Sequence, residues 1–337
     1  MAQKQAFVTG ATGFLGINLI EQLRADGWNV TAIYRSNSKT DELKKLKVNL
    51  LPGTLDDRKA LLNVMPADVD AVFHVAGDTN FWHIDNAKQT RTNIEGTRNV
   101  VHAALEKDAK RFIHTSSVAV YGLPNTVSTE ESPHLGSKSK INYFRTKALA
   151  EDEVRIGIKA GLDAVILNPA NIVGPHDASN WGRSFRIVLG NELPGIPPGK
   201  GSFCHVTEVA KAHIAAYETG KKGENYNLGG PAATYQECFE LIAKLLGVAL
   251  TAKPVPAAAM KLVGAWNSYS SEWSKKRPEV TWEIAEILCG STVCNSTKAE
   301  KELGYKATSL EKMFGDCYQW LAANGLLRPR AGALELN

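Results

Sequence analysis

Cysteine is scarce in this chain: Cys204, Cys238, Cys289, Cys294 and Cys317 are the only five in 337 residues. Five scattered thiols cannot form a disulfide scaffold of this size, and a reducing compartment, the cytoplasm, is the expectation. Long apolar runs are missing as well. None approaches the roughly 18 residues a membrane-spanning helix needs, and the opening MAQKQAFVTG enters an apolar strand with no secretory h-region. No membrane partner is therefore expected. Charge of one sign is missing too: 39 Lys and Arg against 35 Asp and Glu leave +4, with only short basic clusters such as Lys44, Lys45 and Lys47 or Lys275, Lys276 and Arg277. That balance does not ask for nucleic acid. The eight histidines contain neither an HExxH nor a Cys-His cluster, so no metal is expected. His205 and His213 read as core or capping groups.

What the first half does contain is a regular alternation. The apolar runs QAFVTG, WNVTAIY, VNLLPG, VDAVFHVAG, KRFIHTSS and LDAVILNPA are separated by amphipathic stretches. Strands of near-continuous hydrophobicity spaced by helices predict a parallel sheet covered on both faces, a Rossmann-type doubly wound α/β fold. After Pro169 the texture changes, with Gly174, Pro175, Pro194, Gly195, Pro197, Pro198, Gly199 and Gly201 breaking the chain into loops before the helical VTEVAKAHIAAYETG. We expect a dinucleotide-binding unit over 1–170, a smaller, mixed and mostly helical substrate lobe over 171–327, and a frayed tail over 328–337.

The first strand leads into GATGFLGINLIEQLRADG, which sets Gly10, Gly13 and Gly16 at the turn into the first helix. Glycines there permit a tight turn and let backbone amides approach a pyrophosphate, and the helix N-terminus adds partial positive charge. Thr12, Phe14 and Leu15 belong to the same loop. The spacing is GxxGxxG, one residue longer in its first turn than GxGxxG. Some twenty residues on, a carboxylate at the end of the second strand would bind the ribose hydroxyls of NAD. Arg35 stands there instead, followed by Ser36, Ser38 and Lys39. This field suits a 2′-phosphate, so NADP(H) is expected in preference to NAD(H). Thr54 and Leu55 after the third strand, and Ala76 and Gly77 after the fourth, are placed to border the same cofactor.

The fifth strand runs into FIHTSSVAVYG and brings Ser117 to the carboxyl edge of the sheet, where open α/β sheets hold ligands. Tyr143 and Lys147 lie four residues apart in INYFRTKALAEDEV, on one face of a helix. An ammonium beside a phenol favours the phenolate and lowers the tyrosine pKa from its usual value of about 10. A serine hydroxyl holding a carbonyl oxygen while a tyrosine delivers the proton would polarise that carbonyl for hydride attack. Asn93, in TNIEGT, falls on a helix beneath this site, where its amide could brace a water near Lys147 or be satisfied in the core. Phe81, Trp82, Trp181 and Phe203 are candidates for an apolar substrate pocket.

Together TGATGFLG, HVAG, TNIEGT, SSVAVYG, YFRTK and LNPANIVGP resemble the extended short-chain dehydrogenase/reductase family, the epimerase/dehydratase superfamily, over nearly the whole chain. The resemblance implies Tyr143 as general acid/base, Lys147 as the group that lowers its pKa and holds the nicotinamide ribose, and Ser117 as the orienter of the substrate oxygen. It also implies that Pro169, Ala170 and Ile172 flank the nicotinamide, and that a homodimer is common. AGDTNFWHIDNAKQTRTNIEGT, Arg35 and SLEKMFGDCYQWLAANGLL look most like the dihydroflavonol reductase branch, whose members reduce ketones and aldehydes with NADPH. A small-molecule carbonyl substrate is the corresponding expectation. Val118 and Ala119 stand where sugar-nucleotide dehydratases carry an Asp-Glu pair, which speaks against dehydration. Asn171 keeps a nucleotide-sugar epimerase or reductase as an alternative, because such enzymes often contact a phosphate from this place. A non-catalytic NAD(P)-sensing or RNA-associated protein is the other alternative, though such relatives commonly lose the tyrosine or lysine.

Overall fold

Each of the six apolar runs forms a strand, and among the described residues five further strands follow them. In chain order they are β1 (Gln5–Thr9), β2 (Asn29–Tyr34), β3 (Asn49–Pro52), β4 (Ala71–His74), β5 (Phe112–Thr115), β6 (Ala164–Pro169), β7 (Asn171–Val173), β8 (Lys200–His205), β9 (Asn225–Leu228), β10 (Ala232–Thr234) and β11 (Ser291–Thr292). The structure, a computed structural model, describes residues 3–124 and 126–327. The tail expected over 328–337 lies outside them.

Seven strands make one parallel sheet in the order β3-β2-β1-β4-β5-β6-β9. Every residue of β4, β5 and β6 is buried, as the unbroken apolar runs require of strands covered on both faces. On one face pack the helices Phe14–Ala25 and Val206–Glu218, with Leu19, Ile20, Leu23, Val209 and Ala210 against Val8, Phe73 and Leu167. On the other lie Arg58–Val64, Gly96–Glu106 and Asn142–Lys159, with Leu61, Val100, Val101 and Val154 against Phe7, Phe112 and Ile166. The strand order reverses between β1 and β4, and a doubly wound sheet opens a crevice at that point.

The second, smaller sheet centres on β8. Its first residues lie between antiparallel β10 and parallel β11, and Phe203 to His205 pair with β7. Behind it the helices Trp181–Leu189, Tyr235–Leu246 and Leu310–Ala323 close a core of Phe185, Phe203, Phe239, Ile242, Phe314 and Leu321. The division expected at residue 170 is not a clean one. Helix Val206–Glu218 and β9 return to the large sheet after the chain has entered the second lobe. No helix among the described residues is long and apolar enough to cross a membrane.

Candidate active site

At the reversal point a cleft of about 880 Å³ opens between the carboxyl ends of the large sheet and the second lobe. The glycine loop forms its floor. Gly10 has φ +73°, and a Cβ there would stand 2.5 Å from the Ala76 amide nitrogen. Only glycine meets both conditions. A Cβ on Gly16 would come within 2.2 Å of the Gly10 carbonyl oxygen, so the helix Phe14–Ala25 can start this close to β1 only with glycine there. That helix has Gly13 as its N-cap, no side-chain cap and no acid in its first turn. Its positive end is therefore left for an anion, and the loop fits a dinucleotide pyrophosphate.

Thr12, Phe14 and Leu15 border this end of the cleft, and Arg35 and Ser38 border it beyond β2. The Arg35 guanidinium is exposed and, among the described residues, has no ion pair or side-chain hydrogen bond. Thr54 and Leu55 line the wall after β3, Ala76 and Gly77 the wall after β4, and Pro169, Ala170 and Ile172 the wall after β6. Every residue expected at the cofactor thus faces one cavity.

The chemistry-bearing groups converge at its centre. Ser117 caps the short 3₁₀ turn Val118–Tyr121, its Oγ accepting from the Ala119 amide at 3.2 Å. It stands beside the Tyr143 phenol and favours its ionised form. Phe81 meets the Tyr143 ring edge-on with centroids 5.1 Å apart. Burial pushes the phenol up from its ordinary value, and Ser117 pulls more weakly the other way. The sequence expectation that Lys147 depresses this phenol is not met. The Lys147 ammonium instead donates to the Thr115 carbonyl oxygen at 2.7 Å. Burial lowers Lys147 itself to about 8, with the Glu151 carboxylate opposing the fall. Tyr143 therefore keeps its proton at neutral pH, the form a proton donor needs.

Three expected site residues are placed differently. Asn93 lies behind the cleft wall with its amide satisfied: Oδ1 accepts from the Asp78 amide at 2.7 Å, and Nδ2 donates to the Asp78 carbonyl and to Thr146 Oγ1, each at 3.0 Å. It shapes the turn after Gly77 and is not presented to a substrate. Trp82 turns away from the cavity, its Nε1 donating to Ser271 Oγ at 3.0 Å. Phe203 is wholly buried and packs against Trp181 and Phe314, so it supports the wall without forming it. Phe81, Trp181 and Asn171 do line the cleft, but the Asn171 amide donates to the Ser202 carbonyl at 2.9 Å and is committed to the β7–β8 junction.

Sequence reading missed Glu151. This fully buried carboxylate accepts from Asn168 Nδ2 at 2.6 Å and Asn225 Nδ2 at 3.0 Å, and Asn168 Nδ2 also reaches the Ser117 carbonyl at 3.2 Å. It ties the Tyr143–Lys147 helix to β6, β9 and the Ser117 turn. A signal was available, because Glu151 follows Lys147 by the same four residues that separate Lys147 from Tyr143.

A parallel sheet with a pyrophosphate-fitting loop at its reversal, facing a serine, a protonated tyrosine and a lysine, defines a nucleotide-cofactor-dependent oxidoreductase of the doubly wound class. Comparison with known proteins agrees. The family model "NAD dependent epimerase/dehydratase family" matches residues 6–229, and the chain belongs to that family, the extended short-chain dehydrogenases/reductases. It is 28% identical to Sterol demethylase protein B of Methylococcus capsulatus, over 95% of this chain and 99% of the relative. It is 30% identical to a 4-hydroxy-2-methyl-3-oxo-4-farnesyl-3,4-dihydroquinoline-1-oxide ketoreductase of Stigmatella aurantiaca, over 89% and 91% of the two chains. A Synechocystis protein provisionally named dihydroflavonol 4-reductase is 27% identical over 96% of both. Among solved structures, that of gox2253 superposes with a TM-score of 0.83 at 29% identity, covering 97% of this chain and 100% of the other. The chain is thus an NAD(P)-dependent enzyme acting on CH–OH or carbonyl groups.

Proposed function

We propose that this protein reduces a ketone or aldehyde at the expense of NADPH. The observation that carries the reading is Arg35, an exposed guanidinium without a partner among the described residues, at the end of β2 where a carboxylate would hold the 2′-hydroxyl of NAD. A 2′-phosphate is the natural partner for that fork. When bound, the reduced cofactor supplies hydride. The glycine loop and the helix N-terminus would hold its pyrophosphate, and Lys147, reached past Gly77, would hold the nicotinamide ribose.

Ser117 and Tyr143 would grip the carbonyl oxygen of the substrate together. Tyr143, kept protonated by burial, gives its proton to the oxygen as negative charge develops there, and Ser117 stabilises the same charge. Phe81 and Trp181 offer the substrate apolar walls. The second lobe contributes Asn171, Ser179, Asn180, Trp181, Ile287 and Thr292 to the cleft, and none is a cation. With the Asn171 amide occupied by Ser202, the second lobe offers little to a sugar nucleotide's diphosphate, and the cleft's cations Lys88 and Arg91 stand on the other side. The ketoreductase and reductase names borne by relatives over nearly the whole chain support the same reading.

The test is NADPH oxidation with a panel of apolar ketones and aldehydes, run beside Arg35→Asp. The variant should weaken NADPH binding by about 10-fold to 100-fold, as loss of a charge-assisted phosphate contact predicts, and leave NADH binding nearly unchanged. Equal weakening of both cofactors, or tightly held NAD in the purified protein together with sugar-nucleotide epimerisation, would overturn the proposal.

A further inference from the structure

The helix Ala257–Ser274 is built inside out. The side chains on its protein-facing seam are mostly small: Gly264, Ser268 and Ser271 are buried there with Met260. A Cβ on Gly264 would stand 2.7 Å from Ala285 Cβ, so the helix lies hard against Trp282–Cys289. Its large apolar side chains point the other way. Leu262, Trp266, Tyr269 and Trp273 are 72%, 68%, 58% and 79% exposed. Their spacing of four, three and four residues sets them in one row along the outer face, with Val263 beside it. The row presents roughly 600 Å² of mostly aromatic surface, at the top of the range a monomer leaves to water.

Charge says what covers it. Lys275, Lys276 and Arg277 follow the row directly, all exposed and, among the described residues, without an ion pair. Lys253 stands exposed before the helix. Of the nearby acids, Glu279 and Glu286 are matched by Arg183 and Lys261, and Glu272 lies 3.5 Å from His83 Nε2. The face is therefore an aromatic ridge with unanswered cations at its ends. A second copy seated on it about a two-fold axis would set these cations against one another. An anionic lipid surface answers both features, because tryptophan and tyrosine rings settle at the headgroup boundary and Lys and Arg meet lipid phosphates.

We propose that this helix docks the enzyme on anionic membrane surfaces, lying in the headgroup plane without crossing the bilayer. The expectation of no membrane partner drew on the absence of spans and of a strong basic excess, neither of which an interfacial helix needs. The inner side of the helix packs behind the segment that carries Phe81: Ser271 accepts from Trp82, and Thr281 Oγ1, at the start of Trp282–Cys289, donates to the Phe81 carbonyl at 2.6 Å. Docking would set the Phe81 side of the cleft beside the lipid. The inference stands apart from the reductase reading, since lipid binding is measured without turnover.

Flotation of the full chain with vesicles tests it. Binding is expected to vesicles of phosphatidylcholine mixed with phosphatidylglycerol, weaker to phosphatidylcholine alone, and to fall as salt rises. The double variant Trp266→Ser, Trp273→Ser, altered only at exposed positions, should bind about tenfold more weakly or worse. Lys275→Glu with Lys276→Glu should remove the preference for the anionic vesicles. Unaltered thermal unfolding of each variant would show that the fold is kept. No flotation with the mixed vesicles, or flotation untouched by loss of the tryptophans, overturns the proposal. So does a dimer in sedimentation velocity that the tryptophan variant dissolves while neither protein binds lipid, which would give the face to a second copy.

Discussion

Burial at Lys147 works against its own ammonium. The folded value is lowered from 10.5 to about 8, so as pH falls from 10.5 the unfolded chain takes up the proton first. Stability is lost between 10.5 and about 8, and the whole loss is present at neutral pH. It amounts to about 3 kcal/mol at 1.36 kcal/mol per unit. Lys147→Met keeps the length of the side chain, removes the buried charge and gives up one hydrogen bond to Thr115. The variant should be more stable by about 2 kcal/mol at neutral pH, and the gain should vanish above pH 10.5. Turnover should fall at least about 100-fold. Urea unfolding across that pH range, beside steady-state kinetics, checks both, and a less stable variant would show that the ammonium suits its place. Single residues of this kind were legible where their chemistry is unusual: a glycine loop, a tyrosine and a lysine one turn apart, a serine at a strand end. The aromatics were not. Whether Trp82 or Phe203 faces a cleft depends on neighbours, such as Ser271 and Phe314, that lie far away in sequence.

The helix Asn142–Lys159 shows what a whole element adds. Tyr143, Lys147 and Glu151 lie along one face, and the last of them fixes the other two by anchoring the helix to Asn168 and Asn225. Sequence alone offers Glu151, Asp152 and Glu153 as three adjacent carboxylates, and only packing decides which turns inward. The same limit hid β9. Its residues NYNL carry no apolar run, yet Asn225 and Asn227 are buried because Glu151, Asn168 and Tyr121 answer them. The six strands that were legible lie in predominantly apolar runs. Glu151→Gln should expose this dependence, because the new amide brings donors to a place where Asn168, Asn225 and Arg155 already donate. A cost of about 2 to 3 kcal/mol follows from the unmade bonds. Since the Glu151 charge holds the Lys147 value up, its loss should also move the Lys147-dependent limb of the pH–rate profile to lower pH. A limb that moves to higher pH would rule out the electrostatic link.

At the scale of the whole molecule, three histidines couple both faces of the large sheet to acid. His74 and His114 are paired across β4 and β5 with rings 5.4 Å apart. Thr9 and Thr97 hydrogen-bond His74, while neither ring nitrogen of His114 has a hydrogen-bond partner among the described residues. On the opposite face His213, on Val206–Glu218, bonds Thr115 at 2.7 Å and the Val209 carbonyl at 2.7 Å. Burial lowers His74 from 6.5 to about 3 and His213 to about 4, and carries His114 well below its ordinary value. The sign follows from the direction. Below 6.5 the unfolded chain binds protons that the folded chain refuses, so the stability these groups leave intact at neutral pH is lost as pH falls. The His74 and His213 protons alone give a slope approaching about 2.7 kcal/mol per pH unit, and by about pH 5 their loss reaches roughly 4 kcal/mol, a large part of the whole stability of many domains, with His114 acting in the same direction. Urea unfolding at descending pH should therefore show a steep loss beginning near 6, before partnered carboxylates begin to titrate. His114→Leu replaces an unpartnered buried ring with an apolar side chain and should reduce the slope by about 1.4 kcal/mol per pH unit. An unchanged slope in that variant would mean that His114 takes up its proton while the sheet is still folded.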